Sequence, residues 1–338
     1  MSKLLSITIP TYNRAAILDQ QLGRLKEAFD ALPEDKRERL ELLVSNNRSS
    51  DQTADVLERW QGQFAQLRVH HQDHNIGAVR NISWCLCQAA GKFVWALSDD
   101  DPLEPGALEK VFDRLAAHPD IGVMVLNFSS RDAQSGKLMS ARKFALDADD
   151  SDADGLRLFS TYIARGAMGA LVFTSALVYR RDHAREAIRH WPDGHSNLLF
   201  QLYITAACAT RGRFHVMADN VVEFMSGRSF FHGDPELEFR MKFHDVPLIY
   251  SKLTRLGYSR TLCRRLFHAH LRGKHFGGGR MWLQIGKYAL RRPAAGVRGA
   301  WLLSRASAGI YSPVNRAQVW QTRSGLSADA QQRVHRAT

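Results

Sequence analysis

The segment GKFVWALSDDD, from Gly91 to Asp101, places three consecutive carboxylates directly after an apolar run. The run Phe93–Leu97 predicts a short buried β-strand. Three adjacent carboxylates repel one another unless a cation lies among them, and such oxygen ligands suit Mg²⁺ or Mn²⁺. A turn before Pro102 is the structural alternative. The segment therefore predicts either an ordinary turn or a divalent-metal site at the end of a strand.

Strands and helices alternate on both sides of this segment. Apolar runs predict further strands at Leu4–Ile9, Leu40–Val44, Leu67–His70 and Ile121–Phe128. Helical spacing predicts helices at Ala15–Leu32, Ser49–Trp60, Asn81–Ala90 and Glu104–Ala117. This alternation indicates an α/β fold with a mostly parallel sheet and helices on both faces. Ligands of such sheets bind beyond the carboxyl ends of the strands. Three polar segments leave those ends, namely 10–14, 45–51 and 98–101.

The pattern weakens after residue 130. Gly169–Tyr179 is apolar and predicts a strand or a buried segment, and Asn197–Ala209 predicts a buried helix. From Tyr250 onward the sequence indicates a series of helices.

Composition and charge narrow the class of protein. The chain has 338 residues, of which 45% are hydrophobic and 24% charged, so intrinsic disorder is excluded as the dominant state. The net charge of +12 is uneven, because residues 251–338 hold 17 basic residues and one acid. Residues 1–250 hold 29 basic and 33 acidic residues. A mildly acidic body with a basic tail predicts a phosphate-bearing partner, either a nucleic acid or an anionic membrane.

The chain offers no sign of export or of membrane insertion. Its four cysteines match neither a zinc site nor a disulfide framework, which favours a reducing cytoplasm. No apolar run reaches the roughly 18 residues that a bilayer span needs. We therefore expect a cytoplasmic protein, attached at most peripherally to the inner face of the cell membrane.

Four motifs in order resemble the inverting family 2 glycosyltransferases, most closely the type that builds bacterial O-antigen and capsule polysaccharide. They are PTYNR (10–14), VSNNRSSDQT (44–53), HNIGAVRN (74–81) and GKFVWALSDDD (91–101). The resemblance covers about residues 3–130 and implies a GT-A fold. It also implies a hexosyltransferase-type activity, a nucleoside-diphosphate sugar donor and Mg²⁺ or Mn²⁺ as cofactor.

The resemblance assigns the donor site residue by residue. Thr11 and Tyr12 would lie against the base and ribose, and Arg14 would reach a phosphate. Asn46 stands where the family usually has an Asp that binds the base, so the preferred nucleobase stays open. Arg80 would contact the base or the diphosphate, unless it is an ordinary surface residue. The full set implied for nucleotide-sugar binding is Pro10, Thr11, Tyr12, Arg14, Asn46, Arg80, Asp99 and Asp100.

The metal motif departs from the usual Asp-x-Asp. With Pro105 as the reference, the first Asp of that motif falls on Ser98 and the second on Asp100. Asp100 is therefore predicted as the metal ligand, with Asp101 as a supporting carboxylate and Asp99 at the ribose or at the metal. The sequence does not decide which of the three contacts the ion.

The family usually places its general base at the head of a helix in the second half of the chain. His195 is closest to that position, and an imidazole can act as a base near neutral pH. Asp193 is the rival, and a helix-capping loop without a catalytic role is the alternative. In the segment Phe224–Asp234, Arg228 or His232 would belong to a lid over the donor diphosphate, unless its aromatic residues only fill the core.

The resemblance and the charge pattern together predict the domain organisation. Residues 1–250 would form the GT-A domain, with a nucleotide-sugar-binding half at 1–130 and an acceptor half at 131–250. Residues 251–338 would form a basic helical tail. Leu, Phe, Trp and Tyr among Arg and Lys are typical of helices that lie in a membrane interface. The tail would hold the enzyme at the anionic inner leaflet, where a polyprenyl-diphosphate-linked glycan acceptor is presented.

Each alternative function or partner would need a recognisable feature in the sequence. An ordinary solvated helical subdomain is the alternative for the tail, and nucleic acid is disfavoured because no reader motif is present. A sugar nucleotidyltransferase would need a Gly-rich phosphate loop with a Lys after the first strand, where this chain has PTYNR. Asn46 and Ser98 leave open a non-catalytic nucleotide-sugar-binding module.

Overall fold

The computed structural model describes residues 2–227, 234–273 and 279–311. A mixed sheet of nine strands runs through this part of the chain, in the order β3-β2-β1-β4-β8-β5-β9-β7 with β6 paired to β5. The strands are β1 (Leu5–Thr11), β2 (Leu40–Asn46), β3 (Leu67–His71), β4 (Phe93–Ala96), β5 (Ile121–Asp132), β6 (Leu138–Ser140), β7 (Asp150–Asp152), β8 (Leu177–Arg180) and β9 (Arg213–Ser226).

One half of the sheet is parallel, as the sequence predicts. Strands β3, β2, β1 and β4 lie side by side in parallel pairs. The register pairs Thr11 with Asn46 and Asn46 with His71, so the carboxyl ends of β1, β2 and β3 meet at one edge. Ser98 follows β4 at the same edge. The polar segments that leave β1 and β2 are thereby brought to the same edge as the carboxylates.

The other half of the sheet is mixed. Strand β8 lies antiparallel between β4 and β5, whereas β5 and β9 are parallel. The segment predicted as a strand or a buried stretch at 169–179 divides into a short helix, Met168–Val172, a 3₁₀ turn, Thr174–Ala176, and the beginning of β8. The fold is α/β of the predicted class, with β8 reversed near the centre of the sheet and β6 and β7 also antiparallel to the strands that they pair with.

Helices cover both faces of the sheet. The helices of the sheet region are α1 (Ala15–Asp30), α2 (Glu34–Arg37), α3 (Thr53–Gln61), α4 (Ala78–Gln88), α5 (Ala107–Ala117), α6 (Gly155–Ala164), α7 (Met168–Val172), α8 (Arg181–His190) and α9 (Phe200–Ala209). Two buried apolar clusters lie on opposite faces of the strands. Because a strand alternates its side chains, Val94 belongs to one cluster and Trp95 to the other. Helix α9 is apolar all round and completely buried.

The helices after β9 pack onto the same body. They are α10 (Pro235–Arg240), a π-helical turn (Met241–Asp245), α11 (Val246–Arg255), α12 (Arg260–Leu271), α13 (Gly279–Arg291) and α14 (Pro293–Tyr311). Cys263, Leu266 and Ile310 share a buried cluster with residues of the sheet, such as Val123. The predicted domain boundary at residue 250 falls inside α11. Within the described ranges, no helix combines the length and the apolarity that crossing a membrane requires.

Candidate active site

Asp99 and Asp100 converge on one positive charge at the carboxyl edge of the sheet. Nη1 of Arg14 lies 2.8 Å from Oδ1 of Asp99 and 2.9 Å from Oδ2 of Asp100. Thr11, the last residue of β1, donates a hydrogen bond of 2.7 Å from Oγ1 to the other oxygen of Asp99. Ser98 donates to Oδ1 of Asp100. The buried carboxylate of Asp99 and the partly buried carboxylate of Asp100 thus share a cation position that Arg14 fills in this structure.

Burial controls the protonation of Asp99. Its residue exposure is 4%, and desolvation raises the pKa of its carboxyl above the usual range, against the opposing charge of Arg14 and the hydrogen bond from Thr11. A carboxylate in this position is stabilised by any additional positive charge. The pKa of the Asp99 carboxyl therefore depends on the cation beside it.

Asp101 has a different environment from its two neighbours. Its Oδ2 accepts a hydrogen bond of 2.6 Å from Oγ of Ser175, and its Oδ1 accepts one of 3.0 Å from the backbone amide of Met225. Burial, followed by the charge of Asp100, raises its pKa to about 7. Ser175 also accepts a hydrogen bond from the backbone amide of Ser98. Asp101 ties the carboxylate loop to the 3₁₀ turn and to β9, and both of its oxygens contact protein donors.

Tyr12 extends from the end of β1 into solvent. Its side chain is 45% exposed, although aromatic residues of this size are usually covered. The turn that presents it is held by Asn13, whose φ of 53° lies in the left-handed region that Asn tolerates. Oδ1 of Asn13 accepts a hydrogen bond of 2.7 Å from the amide of Ser50. Tyr12 therefore offers an exposed aromatic ring directly after Thr11, which binds Asp99, and two positions after Pro10.

Asn46 lies at the same edge, but its amide already has protein partners. Its Nδ2 is 3.2 Å from Nδ1 of His71, and its Oδ1 accepts a hydrogen bond of 2.9 Å from the backbone amide of Ser49. The residue is 2% exposed. In this structure Asn46 holds the end of β2 against β3.

Two further asparagines, which the sequence analysis did not single out, hold the segment before α4. Oδ1 of Asn47 accepts a hydrogen bond of 2.9 Å from the amide of Ile76, and its Nδ2 donates one of 2.9 Å to Asn75. Asn75 also accepts from the amide of Gly77. Their position in the second and third motifs was the available signal. They fix the start of α4 to the carboxyl edge of the sheet.

A cavity of about 250 Å³ lies at the start of α4. Three groups that can carry positive charge line it, namely Arg80, His195 and Arg240. Asp193 and the carboxylates at 99–101 do not line it. The cavity thus brings together Arg80 and His195, which are 115 positions apart in the sequence, and adds Arg240, which the sequence analysis did not identify.

Buried contacts from two sides position the segment that carries His195. A Cβ atom on Gly194 would lie 2.1 Å from the ring of Phe200, so only Gly allows this close approach. Asn197 donates a hydrogen bond of 3.0 Å to the backbone oxygen of Asp245. The fully buried carboxylate of Asp245 accepts one of 3.1 Å from the amide of Leu198. The π-helical turn therefore holds the segment in place.

The same carboxylate connects the π-helical turn to the cavity. Its oxygens lie 2.7 Å from Nδ1 of His244 and 3.5 Å from Nε of Arg240. Arg240 is thus held by Asp245 while it lines the cavity. The predicted lid residues Arg228 and His232 lie outside the described part of the chain.

Asp99 and Asp100 fit a divalent ion by the chemistry of their donors. Their oxygens are hard ligands of the kind that Mg²⁺ and Mn²⁺ prefer, and they already converge on one positive charge. Among the described residues, no group of three His, Cys, Asp or Glu side chains could enclose a metal. Mg²⁺ commonly binds through one or two carboxylates together with substrate phosphates and water, and two carboxylates meet that requirement. Asp101 fits less well, because Ser175 and Met225 already bind both of its oxygens.

Comparison with known proteins gives matches over the sheet region. Residues 6–169 match the family model described as Glycosyl transferase family 2. A GalNAc(5)-diNAcBac-PP-undecaprenol beta-1,3-glucosyltransferase of Campylobacter jejuni is 32% identical over 111 residues, which are 32% of this chain and 34% of that protein. The chain therefore matches about a third of the length of this curated relative.

Solved structures share the fold over most of the chain. TarS 1–349 of S. aureus superposes with a TM-score of 0.57 and 18% identity, covering 91% of this chain and 88% of that one. Its complex with UDP-GlcNAc gives a TM-score of 0.52 at 15% identity, with coverages of 91% and 90%. The mannosyltransferase PcManGT of Pyrobaculum calidifontis, in complex with GDP-Man and Mn²⁺, gives 0.50 at 15% identity, with coverages of 92% and 88%. At these identities the superpositions establish the fold.

Proposed function

We propose that this chain, whose residues 6–169 match the model of glycosyl transferase family 2, is a GT-A glycosyltransferase that transfers a sugar from a nucleoside diphosphate to a hydroxyl of a glycan acceptor. The observation that carries the proposal is the convergence of Asp99 and Asp100 on one cation position, beside Thr11 and the exposed Tyr12. This is the edge at which α/β sheets bind ligands. The reaction would invert the configuration at the anomeric carbon.

The donor would lie across the carboxyl ends of β1, β2 and β4. Tyr12 would stack on the base or ribose, and Asp99 would contact the ribose. The sugar-nucleotides in the TarS and PcManGT complexes support this donor class, but they carry different bases. Because His71 and Ser49 already bind the amide of Asn46, we leave the preferred base open.

Asp100 would hold Mg²⁺ or Mn²⁺, together with Asp99 and the donor diphosphate. The ion would neutralise charge on the departing diphosphate and so stabilise the leaving group. Arg14 would move from the shared position to a phosphate oxygen when the metal binds. In its present position, Arg14 offsets one of the two negative charges and holds the carboxylates close together. Asp101 would hold the carboxylate loop in place through the hydrogen bond that it accepts from Ser175.

His195 would act as the general base. The acceptor oxygen forms a bond to the anomeric carbon, the bond from that carbon to the diphosphate oxygen breaks, and the acceptor proton passes to the imidazole. We prefer His195 to Asp193 because, of the two, it is His195 that lines the cavity at α4 together with Arg80, which the family resemblance assigns to the donor. Arg80 and Arg240 in the same cavity would attract phosphate groups of the donor or the acceptor.

The acceptor would be a glycan linked to a polyprenyl diphosphate during surface polysaccharide synthesis, of the O-antigen or capsule type. The undecaprenol-linked glycan in the name of the C. jejuni relative supports this class of acceptor. The basic C-terminal region would place the enzyme at the inner leaflet, where such lipids are presented. The protein would then be cytoplasmic and peripherally membrane-associated.

Donor turnover in two matched variants tests the proposal. Purified protein is incubated with Mn²⁺ and a panel of radiolabelled nucleoside-diphosphate sugars, and release of nucleoside diphosphate is measured with and without acceptor lipid extract. We expect turnover of at least one sugar, and a loss of about 10²- to 10⁴-fold in His195→Gln, because proton transfer to a positioned base contributes this much. Asp193→Asn should keep most of the activity.

Two outcomes would count against this account. If Asp193→Asn abolishes turnover while His195→Gln keeps it, Asp193 is the base. If the protein binds a sugar-nucleotide but turns over none in the panel, a non-catalytic binding module replaces the enzyme.

A further inference from the structure

The hairpin formed by α13 and α14 exposes large apolar side chains that globular proteins normally bury. Leu283 is 67% exposed, Leu290 82%, Val297 72% and Trp301 54%. Leu283 and Leu290 are seven residues apart on α13, and Val297 and Trp301 are four apart on α14, so each pair lies on one face of its helix. We define these four residues as the apolar face of the hairpin.

The opposite side of the hairpin is firmly anchored. Ile285 is 3% exposed, and the rings of Tyr288 and Trp282 lie 5.4 and 5.5 Å from those of Phe239 and Phe243. A Cβ atom on Gly299 would lie 2.5 Å from the ring of Phe239, so the backbone of α14 approaches α10 as closely as Gly allows. The apolar face is therefore presented to solvent by a packed scaffold.

The charge of the hairpin has one sign only. Residues 279–311 contain six Arg and Lys residues and neither Asp nor Glu. Lys287 lies between Leu283 and Leu290 in the sequence, and the guanidinium of Arg305 lies 4.8 Å from the centre of the Trp301 ring. Apolar side chains interleaved with cations are characteristic of helices that insert partly into an anionic bilayer surface.

We propose that α13 and α14 dock the protein on an anionic lipid bilayer through this apolar face. The apolar side chains would enter the headgroup region, while Lys287, Arg298 and Arg305 would contact lipid phosphates. This inference names the surface behind the membrane association that the proposed function assumes. It does not depend on catalysis.

Charge complementarity disfavours two other occupants of the apolar face, namely the C-terminal segment and a second copy packed through the same face. Residues 312–338 carry four Arg and one Asp, so this segment has the same sign as the hairpin. A second copy would bring another cationic hairpin against the first. Both arrangements juxtapose like charges, whereas an anionic lipid surface complements them.

The hairpin is connected to the candidate site through the π-helical turn. Helix α14 packs against the π-helical turn, and this turn holds both Arg240 and the segment of His195. A bilayer on the apolar face would therefore be one element away from the cavity at α4. This placement suits an acceptor whose diphosphate lies at the membrane surface.

Vesicle co-sedimentation of the full chain tests the proposal. We expect wild type to bind phosphatidylglycerol vesicles and not phosphatidylcholine vesicles, with binding that weakens as salt is raised. The double variant Leu290→Glu/Val297→Glu should bind at least about tenfold more weakly, because it replaces two apolar side chains that would enter the bilayer by charged ones. The control is Met139→Glu, which adds an acid at an apolar residue on β6 that is 61% exposed. This control should bind like wild type.

Further measurements separate the possible failures. Circular dichroism should give the same melting temperature for the double variant and wild type. If the double variant melts at a lower temperature, the variant Lys287→Gln/Arg298→Gln takes its place and should weaken binding to phosphatidylglycerol vesicles.

Equal binding to neutral vesicles, or retained binding by the folded double variant, would overturn the proposal. A dimer in light scattering that the double variant converts to a monomer would also overturn it, in favour of a second copy. Donor turnover without lipid should be unchanged in the double variant, so an inactive wild type would count only against the proposed function.

Discussion

At the scale of single residues, the guanidinium of Arg14 occupies the position that a metal ion bound to Asp99 and Asp100 would need. Nη1 of Arg14 lies within 2.9 Å of both Asp99 and Asp100. A divalent ion bound by the same carboxylates would have to share or take this position. Arg14 should therefore stabilise the site without metal and compete with metal for it.

Arg14→Gln tests this competition. We expect the variant to bind Mn²⁺ about tenfold more tightly than wild type, because removal of one positive charge leaves two carboxylates for the ion. Without metal its melting temperature should fall, and Mn²⁺ should restore it. Free Mn²⁺ is measured by electron paramagnetic resonance during titration.

The matched control for this variant is Arg213→Gln, which removes an ion pair of 3.0 Å with Asp120 on another part of the chain. Its affinity for Mn²⁺ should equal that of wild type. Weaker Mn²⁺ binding in Arg14→Gln would mean that Arg14 supports the ion rather than competes with it.

Residues near a motif in the sequence were easier to predict than their distant partners. The position of Asp99 and Asp100 after β4 follows from the apolar run before them. The hydrogen bond of Asp101 to Ser175 joins residues 74 positions apart, and nothing in the pattern around Ser175 signals it. The sequence predicted Asp101 as a supporting carboxylate but left open which of the three contacts the ion, because it does not reveal which carboxylate turns toward β9.

At the scale of elements, the π-helical turn acts as a support for the segment that carries His195. Its Asp245 is fully buried and binds Leu198, His244 and Arg240. A buried carboxylate with several partners stabilises a structure only while all of them remain. The stability of this support should therefore depend on Asp245.

Asp245→Ala should lower the free energy of unfolding by about 2–4 kcal/mol, because it leaves the amide of Leu198 and the cation of Arg240 without their buried partner. Urea denaturation followed by circular dichroism measures the change. Asp182→Ala is the control, since Asp182 is 61% exposed in its pair with Arg180 and should contribute less than about 1 kcal/mol. Equal effects of the two substitutions would contradict the supporting role.

The same turn carries a buried lysine that makes stability depend on pH. Burial lowers the pKa of Lys242 to about 7, whereas an unfolded lysine titrates near its ordinary pKa of about 10.4. The unfolded state thus binds more protons between these values, so this residue makes stability rise as pH increases above about 7. Below a pH of about 7 the lysine is charged in both the folded and the unfolded state, and the whole free-energy cost of burying the charge then lowers the stability.

Lys242→Met should remove this dependence. Between pH 6 and pH 9, the free energy of unfolding of wild type should rise relative to that of the variant by about 2 kcal/mol. Denaturation at a series of pH values measures the difference. Parallel pH profiles for the two proteins would show that Lys242 keeps its proton throughout.

Elements with a clear local pattern of apolar residues could be predicted, whereas the order of the strands in the sheet could not. The apolar runs of β1, β2, β3 and β4 predict a parallel sheet, and the structure confirms it. The place of β8 between β4 and β5 could not be predicted, because strand order depends on contacts between distant segments. The helical turns before β8 were missed because a buried apolar run has no visible period.

At the scale of the whole molecule, the acidic and basic parts of the chain form one body with a common core. The sheet contributes the carboxylates, and the helices after β9 contribute Arg240 and the cationic hairpin. The charge asymmetry in the sequence predicted a phosphate-bearing partner for a chain with a basic tail. The placement of the cavity next to the π-helical turn, which connects both parts, required the structure.

The central claim is that Asp100 binds a divalent ion together with a nucleoside diphosphate at the carboxyl edge of the sheet. Its most direct test is the electron paramagnetic resonance titration of Mn²⁺ binding in the presence and absence of UDP and GDP, for wild type, Asp100→Asn and the exposed control Asp219→Asn. We predict that one of the nucleotides tightens Mn²⁺ binding in wild type and in Asp219→Asn, and that this coupling is lost in Asp100→Asn. Coupling of equal size in Asp100→Asn, or Mn²⁺ binding that neither nucleotide changes in wild type, would contradict the claim.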